Sequence, residues 1–240
     1  MPPAATSEDS GARSVPIRDA ASLLVVREGA TPHVLMGKRS QRHVFMPNKY
    51  VFPGGRVDAA DQRLRVPHGL AAAVEDRLLR KSRLSRTRAQ ALALAAIRET
   101  FEETGVIVGQ AQQASKKART ASPAWRAFFA HGATPGLAQL DFIGRAITPP
   151  NRVRRYDTRF FLAYADDIFV PTGPAARPSG ELLHIQWVPL AKAQSLDLPI
   201  ITRHMLQLCE ERLRLKRARR TAQTAWFFRE LAGKPRTEEL

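Results

Sequence analysis

The segment 89–104 is the feature of this sequence that most constrains its fold. It is rich in alanine, its apolar residues recur with the spacing of one helix face, and Gly105 follows it directly. Alanine favours helix, and a glycine just after the last apolar position is typical of a helix C-terminus. The sequence therefore predicts a long helix that ends at Gly105 and buries one face against the rest of the domain.

Three carboxylates crowd the last turn of that predicted helix. Glu99, Glu102 and Glu103 are spaced i, i+3 and i+4, which places them on one side of a single turn. They repel one another, and the partial negative charge of a helix C-terminus adds to the repulsion. A hard divalent cation such as Mg²⁺ relieves both effects because it prefers oxygen ligands. Arg98, one helical turn before Glu102, is placed to orient one of the carboxylates.

A solvated acidic face is the ordinary explanation of three glutamates on a surface helix. We rank it second, because such a face is more favourable in the first turn of a helix than in the last. The turn Phe52-Pro53-Gly54-Gly55 is a further reason, since glycine lets a backbone approach a ligand closely. Together the two features favour a catalytic metal site.

Strand-like and helical segments alternate around this helix. Residues 21–27 and 33–39 predict a hairpin, and residues 49–52 predict a short strand that stops at Pro53. Further strands are predicted at 141–148, 157–165 and 182–188, and helices within 61–88, at 123–129 and from Pro199 onward. This mixture predicts an α/β (α+β) fold in which a mixed sheet lies between helices. The aromatic run 226–228 either packs on a partner subunit or folds back on the domain.

Length and composition limit the class of protein. The 240 residues, 44% of them hydrophobic, suffice for one sizeable core, so we expect one domain at 20–240 after a disordered tail at 1–19. No apolar stretch is long enough to span a bilayer and the leader lacks the core of a secretory signal, which predicts a soluble cytoplasmic protein. Cys209 is the only cysteine, which excludes an internal disulfide. The net charge of +16 favours polyanionic partners such as nucleotides, coenzyme-like diphosphates, RNA or anionic lipid.

Gly55, Asp61 and the run RETFEETGV at 98–106 together resemble the sequence box of the Nudix hydrolase family. In that box a glycine is followed, after five residues, by Glu and, after seven more, by Arg-Glu and then by Glu-Glu. Asp61 stands where the family has Glu, and the seven-residue spacer is replaced by a longer segment. We therefore expect the Nudix fold with a helical insertion at about 62–88 and a C-terminal helical extension from about 199. The subgroup with a long insert that cleaves coenzyme A or acyl-CoA is similar in this respect.

The resemblance implies a hydrolase that uses Mg²⁺, or Mn²⁺, to cut a diphosphate linkage and release two monophosphates. The residues that it implies in metal binding are Glu99, Glu102, Glu103 and a carbonyl of Gly54 or Gly55. It also implies that Arg98 orients the carboxylates. Glu103 and Glu181 are both candidates for the general base, and Glu103 is favoured.

Basic residues bear on the choice of substrate. Coenzyme A carries a 3′-phosphate beyond its diphosphate, so a site for it benefits from additional cations. The candidates for phosphate contact are Arg39, Arg152, Arg154, Arg155 and Arg159. An exposed basic loop and strand explains the last four equally well. Coenzyme A or acyl-CoA is the first expected substrate, and ADP-ribose or a related nucleotide the second.

A non-catalytic Nudix module that senses a nucleotide or binds RNA is the alternative from another functional class. The intact glutamates argue against it, because a sensor has no evident need to maintain such repulsion. We therefore expect a small-molecule diphosphate as the partner, with a nucleic acid less favoured and no membrane. A homodimer is compatible with the sequence.

Overall fold

The structure is a computed structural model that describes residues 15–41, 46–112, 120–171 and 178–240. Most of the predicted disordered tail lies at 1–14, outside the described residues. The first strand begins at Ile17, so the prediction that residues 17–19 belong to a disordered tail is wrong. These residues add a parallel strand pair to the sheet, and that pairing cannot be read from local composition.

Strands and helices alternate along the described chain, as the sequence predicts. The strands are β1 (Ile17–Arg27), β2 (His33–Arg39), β3 (Tyr50–Val51), β4 (Gly54–Arg56), β5 (Gly109–Ala111), β6 (Ala133–Pro135), β7 (Asp141–Ile147), β8 (Arg155–Tyr164), β9 (Leu182–Pro189), β10 (Trp226–Leu231) and β11 (Lys234–Glu239). The helices are α1 (Ala59–Arg63), α2 (Ala72–Leu79), α3 (Arg86–Thr104), α4 (Pro123–Ala130), α5 (Leu190–Ala193) and α6 (Ile200–Leu213).

One mixed sheet organises the molecule. Its strand order is β11-β10-β7-β8-β1-β2-β3, with β4 paired to β1 and β9 paired to β2, while β5 and β6 form a separate pair. The long central strands β1 and β8 are parallel, and the predicted β1–β2 hairpin is antiparallel with Val26 opposite Val34. Both edges of β1 are therefore paired, and the short strand β4, which carries the two glycines, is fixed against it.

Helices cover both faces of the sheet. Successive side chains of a strand point to opposite faces, so Leu23 and Leu24 of β1 enter different cores. Leu23 packs in the core that includes Leu92 of α3, whereas Leu24 packs in the core that includes Leu206 of α6. The predicted architecture, a mixed sheet between helices, is confirmed.

Helix α3 has a defined beginning and end. The hydroxyl of Ser85 accepts a hydrogen bond from the N–H of Arg88, which caps the N-terminus three residues before the predicted start. At the other end Gly105 adopts the left-handed conformation with φ of 74°, a geometry that glycine adopts without strain. The three glutamates therefore lie in the last two turns of a helix whose ends are both fixed.

The insertion is tied into the core by a buried ion network. Arg77 of α2 donates from Nη2 to Asp141 of β7 at 2.7 Å, and Arg212 of α6 donates from Nε to the same carboxylate at 2.9 Å. All three side chains are buried. Arg77 is therefore not a solvated residue of the insertion, because its charge is matched by a carboxylate distant in sequence.

The C-terminal region is only partly helical. Helix α6 begins just after Pro199, as predicted, but it ends at Leu213, and β10 and β11 form an antiparallel hairpin. Strand β10 pairs in parallel with β7, so Trp226 lies opposite Gly144 and the aromatic run folds back on the domain. The predicted helical extension must be corrected to a helix followed by a hairpin. No helix in the described ranges has the length and apolarity that crossing a membrane requires.

Candidate active site

The glycine turn is held against β1 by its backbone. The carbonyl of Pro53 accepts hydrogen bonds from the hydroxyl of Ser22 at 2.8 Å and from the N–H of Leu23 at 3.0 Å. A Cβ atom on Gly54 would lie 2.5 Å from the carbonyl oxygen of Ala21, so a larger residue does not fit there. This close packing brings the next backbone groups to the C-terminal turns of α3.

Each glycine of the turn meets a different carboxylate of α3. The N–H of Gly54 donates to Oε2 of Glu103 at 2.8 Å. A Cβ atom on Gly55 would lie 2.5 Å from Oε1 and 2.6 Å from Oε2 of Glu99. Two motifs that are far apart in sequence are therefore in direct contact, as a metal site built from both requires.

Arg98 organises the cluster. Its Nε and Nη2 each donate to Asp61, to separate oxygens and both at 3.0 Å, and Nη2 also donates to the carbonyl of Arg56 at 2.9 Å. Nη1 donates to Glu99 at 2.9 Å and to Glu102 at 2.6 Å. All three nitrogens of one planar guanidinium therefore connect the two halves of the motif.

Asp61 is the anchor of this guanidinium. The residue is 1% exposed, and its carboxylate also accepts from the indole N–H of Trp125 at 2.9 Å and from the N–H of Asp58 at 2.8 Å. Each of its oxygens thus accepts from Arg98 and from one further donor. The sequence indicated Asp61 through the box alone, and it gave no signal that Trp125 of α4 completes the site.

The raised pKa values of two carboxylates indicate that the cluster is short of positive charge. Burial, opposed by Arg98, raises the pKa of Glu99 to about 7. Burial also raises the pKa of Glu103 to about 8, although the Gly54 N–H opposes the shift. Burial alone would lower the pKa of Arg98, but its hydrogen bonds to Asp61 and the charge of Glu99 raise it, so this guanidinium stays protonated. One arginine does not neutralise the buried carboxylates.

Arg39 and the residues before β9 complete the rim of the site. Burial lowers the pKa of Arg39, and the charges of Glu103, Tyr156 and Glu181 oppose that shift, so these groups lie near its guanidinium. The N–H of Ser179 donates to the carbonyl of Glu102 at 2.7 Å, which brings the segment that carries Glu181 to the end of α3. The structure thus brings Arg39 and Glu181 to the carboxylate cluster.

The other predicted phosphate contacts do not lie in this cluster. Arg159 is 1% exposed, and its Nη1 lies 2.7 Å from Asp157 and 3.6 Å from Asp19. Arg159 therefore lies in a buried ion network, and its role in substrate binding stays a prediction. The remaining three, Arg152, Arg154 and Arg155, lie on the turn between β7 and β8 or at the start of β8, and no contact in the described chain joins them to the glutamates.

The residues of the cluster fit a divalent cation by charge and by ligand type. The carboxylates of Asp61, Glu99, Glu102 and Glu103 face the guanidinium groups of Arg98 and Arg39, which leaves an excess of negative charge. Oxygen ligands with excess negative charge suit Mg²⁺ or Mn²⁺. No three acidic, histidine or cysteine side chains within the described ranges already converge on one point.

No protein-family model matches the chain. The chain is 30% identical over 161 residues to "Putative nudix hydrolase 7" of Caenorhabditis elegans, an alignment that covers 62% of this chain. It spans 45% of the length of that relative.

Solved structures share the fold. The crystal structure of a Nudix hydrolase from Alicyclobacillus acidocaldarius is similar with a TM-score of 0.58 and 28% identity, over 84% of this chain and 97% of that one. The Nudix domain of NrtR from Shewanella oneidensis, solved with ADP-ribose, is less similar, with a TM-score of 0.47 and 13% identity over 82% of this chain and 89% of that one. The Alicyclobacillus structure confirms the predicted fold class, including the mixed sheet and its helices.

Proposed function

We propose that this chain is a Nudix hydrolase, and that it hydrolyses a diphosphate linkage in a nucleoside diphosphate derivative in a reaction that requires Mg²⁺ or Mn²⁺. The observation that carries the proposal is the contact between the glycine turn and α3. Gly54 bonds Glu103 and Gly55 leaves room for Glu99, while Arg98 orients Glu99 and Glu102. A solvated acidic face has no need of such contacts.

Glu99, Glu102 and Glu103 would hold the ion, with a carbonyl of Gly54 or Gly55 as a further ligand. When bound, a divalent cation supplies charge neutralisation at the diphosphate and makes a neighbouring water more acidic. Arg98 contributes in a different way, since its buried guanidinium fixes the carboxylates in place before substrate arrives.

A general base must accept a proton from the attacking water. We propose Oε1 or Oε2 of Glu103, with Glu181 as the second candidate, because both charges act on Arg39 at the same rim. The water would attack one phosphorus, the bond from that phosphorus to the bridging oxygen would break, and two monophosphates would leave. The positive charge of Arg39 is placed to stabilise negative charge on the substrate.

Glu103→Gln tests the role of this carboxylate. Glutamine keeps an oxygen that can accept from the N–H of Gly54, so the fold should persist while kcat falls by roughly 10²-fold or more, the usual scale of general-base loss. Glu211→Gln on the exposed side of α6 is the matched control and should leave kcat unchanged. Undiminished hydrolysis with an unchanged requirement for metal in Glu103→Gln would contradict the assignment. A larger loss in Glu181→Gln would transfer the role of base to Glu181.

Coenzyme A or acyl-CoA is our first choice of substrate, and ADP-ribose or a related nucleotide the second. The turn that carries Arg152 and Arg154 is exposed, so its guanidinium groups are available to the additional 3′-phosphate of coenzyme A. A panel of both substrates, with and without Mg²⁺, distinguishes them by product mass. Coenzyme A gives 3′,5′-ADP and a phosphopantetheine, whereas ADP-ribose gives AMP and ribose 5-phosphate.

The alternative of a nucleotide-sensing or RNA-binding module is tested by the same panel. A sensor would bind nucleotide without turnover at any concentration of Mg²⁺. An RNA-binding protein would bind with affinity that falls steeply as salt is raised and would show no metal-dependent hydrolysis.

A further inference from the structure

A second polar cavity lies near the opposite end of α3 from the carboxylate cluster. Its volume is about 650 Å³, and the segment that leads into α3 forms one wall. The charged side chains that line it are Asp19, Lys81, Arg83, Arg145, Asp157 and Arg159. Arg88, whose Nε donates to Asp19 at 2.7 Å, and Glu99 are separated by about 16 Å of helix. The cavity is therefore distinct from the candidate active site.

Two buried guanidinium groups share one carboxylate in this cavity. Arg145 donates from Nε and Nη2 to the two oxygens of Asp157, at 2.8 and 2.7 Å, and from Nη1 to the carbonyl of Lys81 at 2.7 Å. Nη1 of Arg159 lies 2.7 Å from the same carboxylate. Nη1 of Arg159 also donates to the backbone carbonyl of Asp157 at 3.1 Å, so Asp157 holds this guanidinium through Nη1 alone.

The Nε of Arg159 carries the inference. This nitrogen is buried and has no hydrogen-bond partner in the described part of the protein. An unsatisfied buried donor destabilises the folded protein, and more so when the group is charged. Burial lowers the pKa of Arg159, and the neighbouring charge of Arg145 lowers it further, although Asp157 opposes both effects. The residue is held in a position where an additional acceptor would stabilise it.

The charged side chains around the cavity carry a net positive charge. Lys81 is paired with Glu238, so the unbalanced charges are Arg83, Arg88, Arg145 and Arg159 against Asp19 and Asp157. The N-terminus of the nineteen-residue helix α3, capped by Ser85, follows directly on the wall of the cavity and adds a partial positive charge. This excess suits a ligand with about two negative charges.

We propose that this cavity binds a phosphate group, supplied either by inorganic phosphate or by a phosphomonoester. A phosphate dianion has several acceptor oxygens, and guanidinium groups recognise it by paired donation. Arg159 supplies the buried donor, Arg83 supplies an exposed cation in the lining, and the start of α3 provides the partial charge that favours anions at helix N-termini.

Calorimetric titration with inorganic phosphate, and separately with AMP, tests the proposal with the full chain in a chelator and at low salt. No turnover is involved, so the result is independent of the hydrolase activity. We expect saturable binding at one site and at least about tenfold weaker binding in Arg83→Glu, because the change removes a cation and adds a repulsive carboxylate. Arg214→Glu, at the exposed end of α6, makes the same change of charge elsewhere and should alter Kd by less than about twofold, as expected for a distant and screened charge.

Arg159→Lys is the second variant, because it keeps the charge and removes the Nε and Nη donors. If circular dichroism shows that it folds, it should lose phosphate binding. AMP bound more tightly than phosphate identifies a phosphomonoester as the ligand, whereas equal or tighter binding of phosphate identifies the free ion. Lack of saturable binding, or equal weakening in Arg83→Glu and Arg214→Glu, would overturn the assignment.

Discussion

Replacing Asp61 by asparagine should be far more damaging than the near identity of the two side chains suggests. Among the residues that the structure describes, four groups hydrogen-bond to the carboxylate of Asp61, and each is a donor. They are the Nε and Nη2 of Arg98, the indole N–H of Trp125 and the backbone N–H of Asp58. Each carboxylate oxygen accepts from two of them. Whichever way an asparagine amide is turned, its NH₂ group therefore faces two donors and two hydrogen bonds are lost.

The magnitude follows from these contacts. A hydrogen bond to a charged group contributes about 1.5–3 kcal/mol, and breaking a buried ion pair by removing one partner costs about 3–5 kcal/mol. We expect Asp61→Asn to lower the free energy of unfolding by about 3–5 kcal/mol, because the side chain is fully buried. The kcat should also fall, by about tenfold or more, because Arg98 no longer holds Glu99 and Glu102 in place.

Urea unfolding followed by far-UV circular dichroism measures the first effect. Asp58→Asn is the matched control, because the Asp58 side chain is exposed and caps α1 through the N–H of Ala60 at 3.1 Å. Asparagine caps a helix about as well as aspartate, so this variant should change stability by less than about 0.5 kcal/mol. A loss below about 1 kcal/mol in Asp61→Asn, with kcat intact, would refute the view that the carboxylate anchors Arg98.

Three further outcomes are expected. Gly55→Ala should reduce kcat strongly, because its Cβ would displace a carboxylate of α3, whereas Gly69→Ala meets only the flexible end of a glutamine and should have little effect on kcat. Asp141→Asn should destabilise the fold by about 3–5 kcal/mol in urea unfolding, whereas Asp166→Asn, in an exposed pair, should cost less than about 1 kcal/mol. Mg²⁺ at one hundred times its Kd should stabilise the protein by about 2.7 kcal/mol, and a thermal scan should show a smaller rise in Tm for Glu103→Gln; an equal rise in both proteins would place the ion elsewhere.

The parts of the fold that local sequence determines were predicted well. The spacing of Glu99, Glu102 and Glu103 and the position of Gly105 fix the end of α3, because helix geometry and the left-handed conformation of glycine are local properties. The β1–β2 hairpin likewise depends on neighbouring residues. In each case the pattern and the structure that it specifies lie within one short segment.

The parts that depend on distant partners were not predictable. The sequence left Arg159 open between phosphate contact and an exposed strand, and its burial depends on Asp157 and Asp19, which no periodicity joins to it. The aromatic residues of β10 carry no sign of the parallel pairing with β7. Trp125 is a similar case, since an aromatic residue on a short helix is ordinarily core, and only the folded structure brings its N–H to Asp61.

The guanidinium of Arg98 donates hydrogen bonds to Asp61, which precedes the insertion, and to Glu99 and Glu102, which follow it. The polypeptide between Asp61 and Arg98 is consequently a closed loop, because hydrogen bonds join its two ends. Closure entropy grows only slowly with the number of residues in a loop. Helical turns added to or removed from that stretch would therefore leave the distances between Asp61, Arg98 and the glutamates unchanged. The length of the insertion can vary without a change in the geometry of the candidate active site.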